Sequence, residues 1–345
     1  MKILHGGNLE RAEKEFGIEK NTWLDLSTGI NPCGYPVPQF PAELIRRLPS
    51  QELALESAAT SYYQTNSLLA IPGSQFAIQT LPALFPKCCI AIPRIGYQEH
   101  KVAWEKSEHD IFLYSDDKLD ELEASIVAGK VNIVLIINPN NPSCLLIEKT
   151  RLKFWLDELE KRNAFLIIDE TFMDSSPEHS MAEYLNSSNL VILRSLGKFF
   201  GLAGVRLGFL LANKEICETM QEKLGPWAVS GPAQWIGIQA LTDTAWQKNN
   251  RLYLENESAS LTGYLGRILA SELIEINNTA LFVSLILKKD LATSLYKNLA
   301  HQGVLIRQID YDTRHSILRF GLPGNDEQWS RLKSAIKLFL ETRYS

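Results

Sequence analysis

Lys198 lies in the run Ser195-Leu-Gly-Lys198-Phe-Phe, just after an apolar stretch at 190–193. A lysine among apolar groups loses its proton more easily than one in water, and the free amine is a nucleophile. Further along, Arg206 offers a guanidinium whose planar fork suits a phosphate. Asp169 closes a second apolar stretch, 164–168. A carboxylate there is costly unless it is paired or faces a cleft. Asn138-Pro-Asn-Asn-Pro142 follows a third such stretch, 131–137, and prolines with asparagines favour a fixed turn that presents side-chain amides. Pro72-Gly73-Ser74-Gln75 precedes a segment, 75–85, that reads as helix. Free N–H groups at a helix start bind anions, and glycine permits close approach. Taken singly, each cluster has a commonplace explanation: a surface turn, a helix cap or ion pair, a surface lysine or arginine, an ordinary helix start. Together, in this order, they supply a lysine, a carboxylate, an asparagine and a phosphate cradle.

The elements that must position these groups are legible as apolar runs. Segments 90–92, 131–137, 164–168, 190–193 and 205–211 read as buried strands. Segment 148–162 has helical spacing, with Leu152, Trp155, Leu156 and Leu159 on one face. Continuous apolar strands separated by helices indicate a mostly parallel sheet covered on both faces. Ligands of such sheets sit beyond the carboxyl ends of the strands, which is where the polar clusters fall. After about residue 240 the pattern changes. A long polar helical stretch to about Ser271 precedes strands near 273–276, 281–287, 304–309 and 317–320, with helices at 290–301 and 326–341. The expectation is an α/β chain in three parts: an N-terminal arm, 1–35, with little periodic pattern, packing on the C-terminal unit; a large domain, 36–240; and a smaller α+β domain, 241–345.

Composition narrows the function classes. With 345 residues, 45% hydrophobic and 22% charged, the chain is long enough for more than one core and has an ordinary globular make-up. A formal charge of -5 advertises no nucleic-acid surface. Five cysteines without a CxxC pair argue against a disulfide framework or a zinc site and fit a reducing compartment. No apolar run approaches the length of a membrane span, and MKILHGGNLERAEKEFG lacks a signal-peptide core. Cytoplasm is the expectation.

The motifs resemble those of the aspartate-aminotransferase-like, fold-type I pyridoxal-phosphate enzymes over nearly the whole chain. They are HGGN at 5–8, LDLSTGINPCGYP at 24–36, PGSQFAIQTLP at 72–82, YQEHKVAW at 97–104, NPNNP at 138–142, IIDETFMD at 167–174, RSLGKFFGLAGVRLGF at 194–209 and LRFGLPG at 318–324. HGGN, STGINP, YxEH and LRFGLP make the chain most similar to the threonine-phosphate decarboxylases of cobalamin synthesis, near relatives of histidinol-phosphate aminotransferases. The resemblance implies that Lys198 carries pyridoxal 5'-phosphate as a Schiff base and that Asp169 pairs with the pyridine nitrogen. It implies that Asn141 binds the phenolic oxygen, that Tyr97 stacks on the ring, and that Gly73, Ser74, Ser195 and Arg206 hold the cofactor phosphate. Arg319 would take the substrate carboxylate with Asn31 near it, and Arg307 and His5 are candidates for a substrate phosphate. His100 and Trp104 read as packing.

Four positions depart from the general pattern. Phe172 and Leu48 stand where relatives place tyrosines, Gly197 replaces a hydroxyl residue, and Cys144 occupies a turn glycine. The implied reaction is decarboxylation of L-threonine O-3-phosphate to (R)-1-amino-2-propanol O-2-phosphate by a homodimer that needs no metal, nucleic acid or membrane. The alternatives are a histidinol-phosphate or related aminotransferase, and a non-catalytic protein of the same fold.

Overall fold

The computed structural model describes residues 5–50 and 53–344. The strands among them are, in chain order, β1 (Leu24–Asp25), β2 (Leu68–Ile71), β3 (Cys89–Pro93), β4 (Asp110–Tyr114), β5 (Ile133–Ile137), β6 (Phe165–Asp169), β7 (Leu190–Ser195), β8 (Gly208–Leu211), β9 (Glu275–Thr279), β10 (Phe282–Lys288), β11 (Val304–Leu305), β12 (Arg307–Asp310) and β13 (His315–Gly321). The chain forms two compact units. One contains Gly34–Asn141 and Leu145–Asn249; the other contains Met1–Cys33, Pro142–Cys144 and Asn250–Ser345.

The first unit is built on a seven-stranded sheet in the order β2-β8-β7-β6-β5-β3-β4. Helices connect most of its strands, and the β4–β3–β5–β6–β7 pairings are all parallel. β8 runs antiparallel to both of its neighbours, β2 and β7. No helix lies between β7 and β8 that could carry the chain back across the sheet, so the short connection returns antiparallel. Both faces are buried, which is why the strands read as unbroken apolar runs. Ile133, Leu135 and Ile137 pack in one cluster with residues of helices Ser74–Thr80, Glu99–Lys106 and Lys214–Leu224. Between them, Val134 and Ile136 are fully buried on the opposite side. Helix Lys149–Glu160 buries the four residues of its expected face, Leu152, Trp155, Leu156 and Leu159. Truncating a buried tryptophan such as Trp155 to alanine costs about 3–5 kcal/mol.

The second unit contains a four-stranded antiparallel sheet in the order β12-β13-β10-β9, with helices Lys289–His301 and Asp326–Tyr344. The N-terminal segment, read from sequence as nearly patternless, contains helix Leu9–Phe16. Asn8 caps its start by accepting the Arg11 N–H, and Gly17 ends it in the left-handed region. β1 pairs in parallel with β11, and Ala12 and Trp23 share an apolar cluster with Ala300 and Leu305.

Several boundaries differ from the sequence reading. The helix expected over 75–85 is an α-helix, Ser74–Thr80, followed by a 3-10 turn, Leu81–Leu84; Pro82 has no N–H to continue the α pattern. The long polar helix is Thr244–Ile268. The strand expected near 273–276 is Glu275–Thr279. Arg206 does not open a strand. It precedes β8 and has a left-handed backbone, φ 57°.

Candidate active site

Parallel register brings the carboxyl ends of β5, β6 and β7 to one edge of the sheet, and the Ser195↔Gly208 and Ile71↔Gly208 pairs bring the end of β2 and the start of β8 there as well. A cavity at this edge is lined by Ser74, Tyr97, Asn141, Asp169, Ser195, Lys198 and Arg206, with Gln75, Thr171 and Phe172 among its other walls. The sequence-derived residues of the lysine and phosphate groups therefore converge. Gly73 adjoins this set.

Glycine is required twice at this edge. A Cβ on Gly73, whose φ is +79°, would lie 2.5 Å from the Arg206 guanidinium. A Cβ on Gly208 would lie 2.6 Å from the Arg194 carbonyl and 3.0 Å from the Ser74 amide. Without these side chains, the Ser74 backbone, the Arg206 guanidinium and the end of β7 come close together. Arg206 itself donates to the Ala203 carbonyl at 3.0 Å. The left-handed backbone of a non-glycine residue is an outlier of the kind that marks functional positions.

Asp169 is 3% exposed. Its Oδ1 accepts the Thr171 N–H at 3.0 Å, and its Oδ2 lies 2.9 Å from His100 Nε2. An ionised carboxylate only accepts, so the compatible arrangement has His100 donating from Nε2. His100, read from sequence as packing, is thus a polar partner of the central carboxylate. The missing signal was spatial: Tyr97 precedes helix Glu99–Lys106 and His100 lies in its first turn, and nothing in the spacing says which strand end they meet. Tyr97 donates to Gln75 Oε1 at 3.1 Å, and Gln75 donates in turn to Glu99 at 3.3 Å. Gln75, too, escaped the sequence reading.

In the Asn138–Pro142 loop the first two amides brace the turn. Asn138 donates to the Ile147 carbonyl and accepts the Ile147 N–H. Asn140 donates to the Ile95 carbonyl at 2.9 Å and to Asp116 at 3.0 Å. Asn141 is the member that lines the cavity. The Lys198 loop is fixed by Gly201 N–H to the Lys198 carbonyl at 3.1 Å and by Phe199 and Phe200, which pack on Trp246. Arg194, beside Ser195, is buried in ion pairs with Glu170 at 2.6 Å and with Asp174. Glu170 follows Asp169, so this network ties together the two strand ends that carry the carboxylate and the lysine loop.

The remaining candidates lie in the other unit. Arg319 on β13 is 1% exposed and stands directly opposite Arg307 on β12. Directly opposed residues share a face and have Cβ atoms about 5 Å apart. Burial first, and then the Arg307 charge, pull the Arg319 guanidinium down to about 9. An anion here would relieve both. Arg319 also donates to the Ser27 carbonyl and lies over the Phe282 ring. Arg307 and His5 line one cavity, while Asn31 accepts the Cys33 N–H at 2.9 Å and donates to Asn250 at 3.1 Å. Cys144 adopts φ 68°, the conformation of the turn glycine it replaces, and burial pushes its thiol up to about 12. Among the described residues no cluster of His, Cys, Asp or Glu could hold a metal ion, and no helix is long and apolar enough to cross a membrane.

Comparison with known proteins places this chain in a family. Residues 43–336 match the family described as aminotransferase class I and II, and the chain belongs to it. The family uses pyridoxal 5'-phosphate. Within it, the chain is 36% identical to a threonine-phosphate decarboxylase of Pseudomonas aeruginosa, with 98% of each chain covered. It is 33% identical to one of Sinorhizobium sp, with 97% of each covered. Among solved structures it is similar to the histidinol-phosphate aminotransferase from Clostridium acetobutylicum, at 25% identity and a TM-score of 0.80, covering 90% of this chain and 97% of that one.

Proposed function

We propose that this chain is a pyridoxal-phosphate-dependent decarboxylase of L-threonine O-3-phosphate, forming (R)-1-amino-2-propanol O-2-phosphate for cobalamin synthesis. The observation that carries the substrate class is the placement of Arg307 directly opposite Arg319, with Arg307 and His5 on one cavity. A substrate with a carboxylate at one end and a phosphate at the other has two anions to match two anion sites. The full-length similarity to threonine-phosphate decarboxylases supports the same reading.

The cofactor fits the first cavity. Its donor set is an arginine, serine hydroxyls and the close approach that Gly73 and Gly208 allow. In this reading Arg206, Ser74, Ser195 and Gly73 hold the phosphate, Asn141 binds the phenolic oxygen, and Tyr97 packs on the ring. Asp169, kept in place by Thr171 and His100, pairs with the ring nitrogen. Lys198 anchors the cofactor and later holds a proton at Nζ. When bound, pyridoxal phosphate supplies an electron sink for the pair released when a bond to Cα breaks. Which bond breaks is a matter of orientation, and two fixed anion sites leave a short substrate few free torsions. Arg319 takes the carboxylate, with Asn31 near it, and Arg307 and His5 take the phosphate.

A homodimer in the cytoplasm completes the reading. Ile45, Leu48, Leu53 and Trp227 are large apolar side chains, each at least 60% exposed in the single chain, and contact with a second copy would cover them. The deciding experiment incubates purified holoenzyme with O-phosphothreonine and follows carbon dioxide and aminopropanol phosphate. Faster transamination of histidinol phosphate than carbon-dioxide release would favour the aminotransferase alternative.

A further inference from the structure

Ser27, which follows β1, is 2% exposed, and the main chain beside it is fixed on both sides. The Leu26 N–H donates to the Leu305 carbonyl at 2.8 Å, and the Leu26 carbonyl accepts the Gly321 N–H at 2.7 Å. Leu305 ends β11, just before Arg307, and Gly321 ends β13, just after Arg319. The Ser27 carbonyl itself accepts from the Arg319 guanidinium. The Ser27 hydroxyl turns the other way, to the arm that bears His5. It donates to Asp25 Oδ1 at 2.6 Å, and the Ser27 N–H donates to the same oxygen at 2.9 Å. A hydroxyl has one proton to give. With that proton committed to Asp25, Oγ accepts the Gly7 N–H at 2.8 Å. Both glycines of the HGGN motif fit this contact. A Cβ on Gly6 would overlap the Ser27 carbonyl, and one on Gly7, whose φ is +77°, would lie 3.1 Å from the Thr28 side chain. His5, Gly6, Ser27 and Arg307 line one cavity.

Ser27 thus meets the two candidate anion sites with different atoms, its carbonyl on Arg319 and its hydroxyl on the arm. We propose that the Ser27 hydroxyl is the latch that sets His5 beside Arg307 for the substrate phosphate, and that Asp25 aims it. Ser27 is then a positioning residue for one end of the substrate only. This rests on the reading in which Arg319 takes the carboxylate while Arg307 and His5 take the phosphate. The main-chain bonds on either side of Ser27 do not use the hydroxyl, so the contact with Arg319 survives its loss. The Gly7 N–H, by contrast, loses its acceptor, and the arm loses the bond that sets its distance from Arg307. A ligand without a phosphate has nothing at that end to lose.

The test titrates wild-type and Ser27→Ala holoenzyme with two half-substrates, each followed by NMR of the ligand. Ethyl phosphate carries only the phosphate end and butyrate only the carboxylate end, and neither has an amine to react. Ser27→Ala should weaken ethyl phosphate about three- to tenfold, the range for one lost hydrogen bond, and leave butyrate nearly unchanged. KM for O-phosphothreonine should rise in step. Because Ser27 acts through His5, the Ser27→Ala/His5→Ala double variant should bind ethyl phosphate like His5→Ala alone. Equal weakening of both ligands, an unchanged affinity for ethyl phosphate, or additive losses in the double variant overturns the proposal, as does wild-type holoenzyme that does not bind ethyl phosphate. Ser27→Cys, whose thiol is a poor acceptor of the same placement, replaces the alanine variant if a thermal melt shows that it does not fold. Wild-type enzyme that releases no carbon dioxide from O-phosphothreonine overturns the decarboxylase reading, while the half-substrate titrations, which need no turnover, still judge the latch.

Discussion

His100 Nε2 stands 2.9 Å from Asp169 Oδ2, with both side chains almost wholly buried. The contact joins the first turn of helix Glu99–Lys106 to the end of β6. It fixes the carboxylate from one side while the Thr171 N–H fixes it from the other. Removing the imidazole leaves a buried acceptor short of a donor, a loss of about 1.5–3 kcal/mol for a charged partner. His100→Ala should lower kcat/KM about ten- to a hundredfold and weaken cofactor binding. His100→Gln, which can still donate, should recover part of both. Steady-state kinetics and cofactor titration decide it; unchanged values in the alanine variant refute the role.

Asp169→Ala should lose nearly all turnover while retaining some cofactor, because the phosphate contacts proposed at Ser74, Ser195 and Arg206 are untouched. Absorbance of the dialysed protein measures retention, and carbon-dioxide release measures turnover. Near-normal turnover would contradict the proposed pairing with the ring nitrogen.

Lys198→Ala should abolish the borohydride-reducible attachment of the cofactor. Reduction of wild-type holoenzyme followed by peptide mapping should place the label on Lys198 alone, and a label on any other lysine sinks the assignment.

Gly73→Ala puts a methyl group within 2.5 Å of the Arg206 guanidinium at a residue whose φ is +79°. The backbone strain alone costs on the order of 1 kcal/mol. The displaced guanidinium should raise the dissociation constant for pyridoxal phosphate, and equally for inorganic phosphate competing with it. Fluorescence titration of the cofactor-free protein reads both, with wild-type values counting against the cradle.

Arg319→Ala should raise KM for O-phosphothreonine sharply and leave cofactor affinity nearly intact. Losing one partner of a buried charged contact costs roughly 2–5 kcal/mol. Arg307→Ala should narrow the preference for phosphothreonine over threonine by harming the former. Burial and the Arg307 charge pull the guanidinium of Arg319 down to about 9, and it must be charged to bind an anion. Apparent substrate affinity should therefore fall as pH rises through about 9 and be steady below it. A KM that is flat across that range would show that Arg319 does not bind the carboxylate.

Much of this was legible in the sequence, for physical reasons that can be located. Leu152, Trp155, Leu156 and Leu159 announce one buried face because helical period and burial coincide. The runs ending at Ile137, Ile168 and Leu193 announce parallel strands because both faces of their sheet are covered. Lys198, Asp169, Asn141 and Arg206, which line one cavity, could be singled out because each follows such a run or its loop. His100, Gln75 and Thr171 were not, since their contacts join elements distant in sequence or use a backbone N–H that no residue type reports. The reversal of β8 was also unread: apolar content says that a strand is buried, not which way it points. Arg206 was placed on a strand because its left-handed backbone has no compositional mark.

That reversal has a kinetic corollary. Because β8 returns antiparallel beside β7, the lysine and the arginine hang from one short connection whose two ends are locked together at Ser195 and Gly208. In the proposed holoenzyme, two groups of a single small molecule, its aldehyde carbon and its phosphate, are then gripped by one clasp. A fluctuation that opens the connection loosens both grips simultaneously, and a cofactor held by one group alone should be a scarce species. Escape of pyridoxal phosphate from the proposed wild-type holoenzyme is accordingly expected to follow a single exponential whose rate tracks the opening of that one loop.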